Sequence, residues 1–360
     1  SYVRLEWFEL LPGLPLSFTI EPLGLMFSLT ASFLWLLTTL YSIGYMRAGG
    51  EKNQARFYQF FALAISTVMG IAFAANLFTL YIFYELLTLS TYPLVTHAGD
   101  DKARRGGRIY LAILFLSSML FLLFAIVSTW AMTGTLEFTN GGLLGQQLLS
   151  LDDPGVSQAH ILLLPLFILG IAKAAIFPFY YWLPAAMVAP TPVSALLHAV
   201  AVVKAGAFTV LKISVYIFGL DLISLLPSSQ VLLYLVAFSV LFASIMALRQ
   251  DNLKKRLAYS TVSQLGYISI GALLATKASL IGGAMHLVIH AFGKISLFFC
   301  AGAILVMTGK RRISEMQGIG REMPITMTAF LIGAITVIGL PPSAGIWSKW
   351  FLFQGGLAEE

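Results

Sequence analysis

The chain has 360 residues, of which 58% are hydrophobic and 11% charged, and its mean hydropathy is +0.86. A soluble domain cannot hide that much apolar surface, so composition excludes a water-soluble domain and points to a polytopic membrane protein, which its long apolar spans make all-α. The formal charge of +6 is carried mostly by short loops, which points to lipid and topology and away from nucleic acid.

The opening stretch SYVRLEWFELLPGLPL lacks the charged n-region and apolar run of a cleavable signal. Apolar spans of about 20 residues then follow at 20–45, 57–76, 77–96, 108–132, 160–180, 186–211, 228–248, 257–276, 280–308 and 325–353. The connectors alternate in charge. Those at 46–56, 97–108, 249–256 and 309–323 are rich in Lys and Arg, and counting spans puts all four on one side of the membrane. The positive-inside rule makes that side cytoplasmic and the N-terminus outside. On the other side, 133–159 holds only Glu137, Asp152 and Asp153 as charges, and 212–227 balances Lys212 against Asp221. The single cysteine, Cys300, lies in an apolar run and reads as a small core residue. The sequence begins without Met and stops soon after an apolar segment, which suggests a piece of a longer protein.

At bilayer depth, away from the flanks of the spans, lie eight ionisable residues: Glu85, Lys173, His198, Lys204, His286, His290, Lys294 and Lys349. A charge at the bilayer centre costs about 2.5–3.5 kcal/mol on insertion scales, so such residues mark ion or proton paths. Glu85, in YIFYELLTLSTYPLV, is expected to pair with a buried lysine on an adjacent helix. Lys173 lies more than three turns into its helix, too deep for a snorkelling side chain. It precedes Pro178 in GIAKAAIFPFYYWLP, while Lys349 follows Pro341 and Pro342 in IGLPPSAGIWSKW. Proline removes a backbone donor and clashes with the preceding turn, so both helices should break within the membrane. The lysine precedes one break and follows the other, as in an inverted repeat; two ordinary proline kinks are the alternative.

His198 and Lys204, in PTPVSALLHAVAVVKAGAF, are six residues apart and do not share a helical face. His286, His290 and Lys294, in HLVIHAFGK, spread over only about 80° of one face. Histidine titrates near neutral pH, so this stack reads as a proton wire. A helical HxxxH can also bind metal, but no Glu follows the first His and no carboxylate or thiol lies nearby in sequence; no metal is expected. His97 and His160 sit at span ends and read as interfacial, and Arg104, Arg105 and Arg108 as a topological anchor. No GxGxxG after a strand, P-loop or CxxC appears, so no cofactor is expected.

In order, YELLTLSTYPLVTH, AKAAIFPFYYWLPAAMVAPTPVSALLHAVAVVKAG, DNLKKRLAYSTVSQLGY, HLVIHAFGKISLFFCAGAI and GLPPSAGIWSKW span most of residues 80–350. Together they resemble the antiporter-like subunits shared by respiratory complex I, membrane-bound hydrogenases and multisubunit Mrp sodium/proton antiporters. The resemblance implies a fourteen-helix fold with two inverted five-helix repeats and broken helices seven and twelve, of which this chain would hold helices three to twelve. It divides the chain into 1–56, an N-terminal segment with one flanking helix; 57–215, a first repeat broken at Pro178; and 228–360, an incomplete second repeat broken at Pro341 and Pro342. It also implies that Glu85 matches the helix-five acid, Lys173 the broken-helix lysine and Lys204 the connecting lysine. His286, His290 and Lys294 would form the central axis and Lys349 the terminal base.

PTPVSALLHA followed by VVKAG looks closest to Mrp-type large subunits. The function so implied is a proton relay in a multisubunit Mrp-type cation/proton antiporter. The alternative is the pumping module of a redox-driven complex, which would make the subunit part of an enzyme without a redox centre of its own. A membrane metalloenzyme and a structural scaffold stand further off. The partners implied are other membrane subunits, including homologous antiporter-like ones, the lipid bilayer, protons and, for antiport, sodium. The location implied is a bacterial or archaeal inner membrane.

Overall fold

The computed structural model describes residues 3–149 and 156–358, without the side chains of Leu11, Leu149 and His198. Asp152 and Asp153 therefore lie outside the described residues. The chain opens with an antiparallel hairpin, β1 (Arg4–Leu11) and β2 (Leu14–Thr19), for which the apolar-span reading assigned no structure. Pro12 presets its own φ, and Gly13, at φ +77°, takes the left-handed position that closes the turn.

Helices follow at each expected span: α1 (Pro22–Ala48), α2 (Gln54–Phe73), α3 (Leu77–Val95), α4 (Asp101–Thr133), α5 (Gln158–Gly170), α6 (Val202–Ile213), α7 (Pro227–Leu248), α8 (Leu253–Leu273), α9 (Lys277–Thr308), α10 (Pro324–Ile338) and α11 (Gly345–Leu357). Of these, α1, α2, α4, α7 and α9 are long and apolar enough to cross a membrane by length and composition alone. The start of α3 is set by Asn76 and that of α4 by Asp100, whose side chains accept from the Thr79 and Ala103 amides at 2.7 Å. Both expected breaks are present. After α5 the chain leaves the helical path at Ile171, makes a tight turn over Ala172–Ala174, and passes Ala175 at φ +54°. After α10 it turns at Gly339 and resumes helix at Gly345. The Phe177–Pro178 and Pro341–Pro342 bonds are cis.

The basic connectors meet at one face, as the charge alternation requires. Tyr45, Glu51, Lys102, Ala189, Lys254 and Lys310 line a single recess of about 470 Å³ there. His97 is buried at this face with Nε2 3.9 Å from Glu51. Burial holds its imidazole below the ordinary histidine range, against the pull of Glu51 and with that of Arg56. His160 is also buried and shares a 2.7 Å hydrogen bond with Ser157.

The connector 309–316 is clamped to the start of α8: the Ser314 amide and hydroxyl donate to the Asp251 carboxylate at 3.0 and 2.8 Å. These two bonds hold Asp251 below its usual range, with Arg312 and Arg256 acting the same way. A depressed carboxylate pKa means the clamp is complete above about pH 4 and is lost only as pH falls through the lower, folded value. Asp251→Asn should therefore speed hydrogen exchange at the Ser314 amide at neutral pH while α9 amides keep their protection; unchanged Ser314 exchange would contradict the clamp.

The opposite face carries the hairpin. Phe18 bridges to Ala74 and Asn76 to Glu137, and Arg4 pairs with Glu137 at 2.8 Å. Between the faces, α6 is buried along its whole length.

Candidate functional site

The first break presents Lys173 from a turn rather than from a helix face. Its side chain is fully buried, and its ammonium donates to the Tyr84 carbonyl at 2.8 Å while resting 3.2 Å above the Tyr84 ring. The Lys173 amide donates to the Tyr84 hydroxyl at 3.3 Å. Glu85 and Lys173 do not form a contact ion pair: no salt bridge joins them and both buried Glu85 carboxylate oxygens lack a hydrogen-bond partner in the protein, so the carboxylate acts on the ammonium only at longer range. The reason is register. Glu85 and Tyr84 are successive residues of α3, so when Tyr84 presents its carbonyl and ring to Lys173, the Glu85 side chain leaves the helix about 100° away.

The break packs on α6 at Gly206. A Cβ there would lie 2.3 Å from the Lys173 carbonyl carbon and from the Ala174 nitrogen. Only glycine allows that approach, and it sets Lys173 half a turn from Lys204 along α6. The Trp182 indole donates to the Ala172 carbonyl at 2.9 Å, beside the Ala175 amide that closes the turn on the same oxygen.

From Lys204 a continuous line of groups runs to the second break. Lys204 Nζ lies 2.6 Å from His290 Nδ1, both buried. The His290 and His286 rings stack with centroids 5.9 Å apart and planes 15° from parallel. The ring of His286 meets that of Tyr267 edge-on at 5.8 Å, and Lys349 sits 5.2 Å from the Tyr267 centroid. Lys349 donates to the carbonyls of Ile338 (2.6 Å) and Val337 (3.3 Å), the open end of α10. A cation is favoured at a helix C-terminus, so the break itself supplies the seat for this lysine. Lys294, fully buried, donates to Ser260 of α8 at 2.5 Å. The side chain of His198, in the π-turn Leu196–Val200, lies outside the described residues.

The chemistry follows from hydrogen-bond accounting. A 2.6 Å contact between an amine and an imidazole nitrogen needs one donor and one acceptor, so Lys204 and His290 share a proton that either can carry. His286 faces Ser348 through Nδ1 at 2.9 Å and Gln264 through Nε2 at 3.0 Å. A ring proton has an oxygen partner on whichever nitrogen it sits, and neither nitrogen is left pointing at an open metal position. An arrangement of donors and acceptors like this is chemically capable of passing protons without making or breaking heavy-atom bonds.

One buried basic residue was misplaced by sequence reasoning. Lys212, assigned to an outer connector opposite Asp221, is inside α6 and fully buried, with Glu21 at 2.7 Å. It lies one residue past the apolar run that ends at 211; the signal that could have found it is its i+8 spacing from Lys204 on the same helix.

Comparison with known proteins gives a consistent picture. Residues 74–360 match the family model described as NADH:quinone oxidoreductase/Mrp antiporter, transmembrane, and residues 7–58 match the complex I chain 5 N-terminus. NADH-quinone oxidoreductase subunit N of Desulforudis audaxviator is 35% identical over 96% of the chain and 68% of its own length. NAD(P)H-quinone oxidoreductase chain 5 of Synechocystis sp. is 32% identical over 93% of the chain, which spans about half (49%) of that relative. Among solved structures, the Mrp complex of Dietzia sp. DQ12-45-1b superposes with TM-score 0.88 at 29% identity, covering 100% of this chain and 38% of the matched one.

Proposed function

This chain belongs to the NADH:quinone oxidoreductase/Mrp antiporter transmembrane family, and from that premise we propose that it moves protons through the bilayer midplane along Lys173, Lys204, His290, His286 and Lys349. Lys294 joins the relay from the same face of α9, and the unpartnered Glu85 carboxylate biases the charge on Lys173 across the short gap at Tyr84. The observation that carries this reading is the shared-proton contact of Lys204 with His290 at 2.6 Å, continued by the stacked His286 ring. Burying so many basic groups without acidic partners is costly, and a relay in which few are charged at once lowers that cost.

The chain is a multi-pass membrane protein that works with other membrane subunits, and its place in an Mrp-type cation/proton antiporter is supported by the Mrp likeness over its whole length. A second reading, the pumping module of a redox-driven complex, is favoured by the 35% identity to a quinone oxidoreductase subunit. We assign it to a bacterial or archaeal cell membrane and, by the two breaks in α5–α6 and α10–α11, to a pair of inverted repeats over 57–215 and 228–360.

The test is proton flux in vesicles carrying the intact complex. His290→Gln keeps a hydrogen-bonding side chain beside Lys204 but has no second titrating nitrogen, and should lower flux by about tenfold or more with normal assembly. Undiminished flux would sink the relay. Flux that needs a sodium gradient selects antiport, and flux that needs a quinone or other redox couple selects the pump.

A further inference from the structure

Glu21 and Lys212 take no part in the line from Lys173 to Lys349, yet they are the most closely paired charges in the interior. Glu21 is 3% exposed and Lys212 0%, with Nζ 2.7 Å from Oε1. Lys212 also donates to the Ala74 carbonyl at 2.7 Å, and its ammonium lies 4.6 Å from the Phe138 ring centroid and 5.5 Å from that of Phe208. Three elements converge there: Glu21 precedes α1, Ala74 ends α2, and Lys212 closes α6. On that last helix Lys204 lies two turns away, about 12 Å by helical rise.

A recess of about 90 Å³ opens beside the pair on the hairpin face. Arg4, Thr19, Glu137, Asn140 and Tyr216 form its wall, and Glu21 is the member of the pair that reaches it. It has room for several waters, and the polar groups of Arg4, Glu21, Glu137 and Asn140 stand in its wall beside Ala75 and Phe138, so a water there has partners. The Arg4–Glu137 salt bridge stands in the same wall. Glu21 thus has water-accessible surroundings on one side and a buried amine on the other.

We propose that Glu21 and Lys212 form a proton-exchange site for the face opposite the basic loops, joining α6 to water in the recess. The inference rests on the relay reading. The step is a proton transfer between the paired groups, which stand 2.7 Å apart and come into hydrogen-bond alignment by rotation of the Glu21 carboxylate, whose Oε1 has no aligned partner as it stands. Lys212 gives a proton to the Glu21 carboxylate, leaving a neutral amine and a neutral carboxylic acid. The acid then releases the proton to recess water and the amine regains one from the interior. Neutralising both partners removes two buried charges together, so the transfer avoids the isolated buried ion that would block it. A tie that only fastens α1 to α6 would need no titrating amine, since an arginine or an apolar contact would serve as well.

The experiment uses that difference in the intact complex in vesicles. Lys212→Arg retains a cation for Glu21 but does not release a proton. It should leave assembly intact and lower proton flux by about tenfold or more; wild-type flux overturns the proposal. Lys204→Arg is measured alongside. If it too transports normally, the relay itself is wrong; if only Lys212→Arg does, the relay stands and the outer site falls. Should arginine prevent assembly, Glu21→Gln decides, with the same loss expected and wild-type flux overturning. In the unaltered complex, a water-soluble carbodiimide supplied from the hairpin face should modify Glu21, identified by peptide mass; an unmodified Glu21 also overturns the proposal.

Discussion

Lys204→Met should abolish most proton movement, by on the order of 100-fold, while the protein keeps its fold. Methionine has nearly the length and volume of the lysine stem, so the packing of α6 is preserved. Removing a fully buried ammonium also removes a desolvation cost, so thermal stability should hold or rise slightly. What disappears is the donor–acceptor pair with His290 at 2.6 Å, the contact at which the first-break lysine region meets the α9 histidines. The measurement is dye-reported flux in vesicles, normalised to assembled complex, with a melting curve on the same preparation. Flux close to wild type with normal assembly would show that protons bypass Lys204. Loss of flux with loss of assembly would show instead that the lysine holds the fold.

Gly206→Ala should also be damaging, without touching any titratable group. The added methyl would lie 2.3 Å from the Lys173 carbonyl carbon and the Ala174 nitrogen, and 2.8 Å from the Lys173 Cβ. These are backbone atoms or atoms fixed to them, so no rotamer change relieves the clash, and α6 must move away from the break. Overpacking of this kind costs about 1–3 kcal/mol, and the shift separates Lys173 from its seat on Tyr84. The expected result is a lower melting temperature together with flux reduced by about tenfold or more. Gly44→Ala is the control, because a Cβ at Gly44 meets nothing within 4 Å. Equal behaviour of the two variants would mean that close packing at the break is unimportant.

Much of the site was readable before any coordinates. The i, i+4, i+8 placement of His286, His290 and Lys294 follows from helix periodicity, and the two rings duly stack. The prolines at 178, 341 and 342 marked both interrupted segments, since a missing donor and a ring clash bar a regular helix around them, although the first helix already ends at Gly170, beyond the local reach of Pro178. The four basic connectors were grouped from span counting, and residues from all four line one recess. Each of these signals is carried by residues close together in sequence, or by the sum of hydropathy over a span.

The partners were not readable in the same way. Glu85 was paired with Lys173 by charge alone, yet the ammonium lies on the carbonyl and ring of the preceding Tyr84. Lys212 was placed in a loop opposite the nearby Asp221, yet its partner is Glu21 at the far end of the sequence. Ser348 and Gln264, which hold His286, carry no charge and no motif to single them out.

By itself, then, the sequence determined that this is a membrane protein, where most of its helices run, which of them break, and most of the ionisable groups that are buried, with Lys212 and Glu21 among the exceptions. Those properties depend on hydropathy, periodicity and proline sterics, all local or additive along the chain. Only the tertiary structure decided who touches whom: Lys204 with His290, Lys349 with the open end of α10, Glu21 with Lys212. A hydrogen bond is made or lost within a few tenths of an ångström and some tens of degrees, and that precision comes from packing between helices distant in sequence.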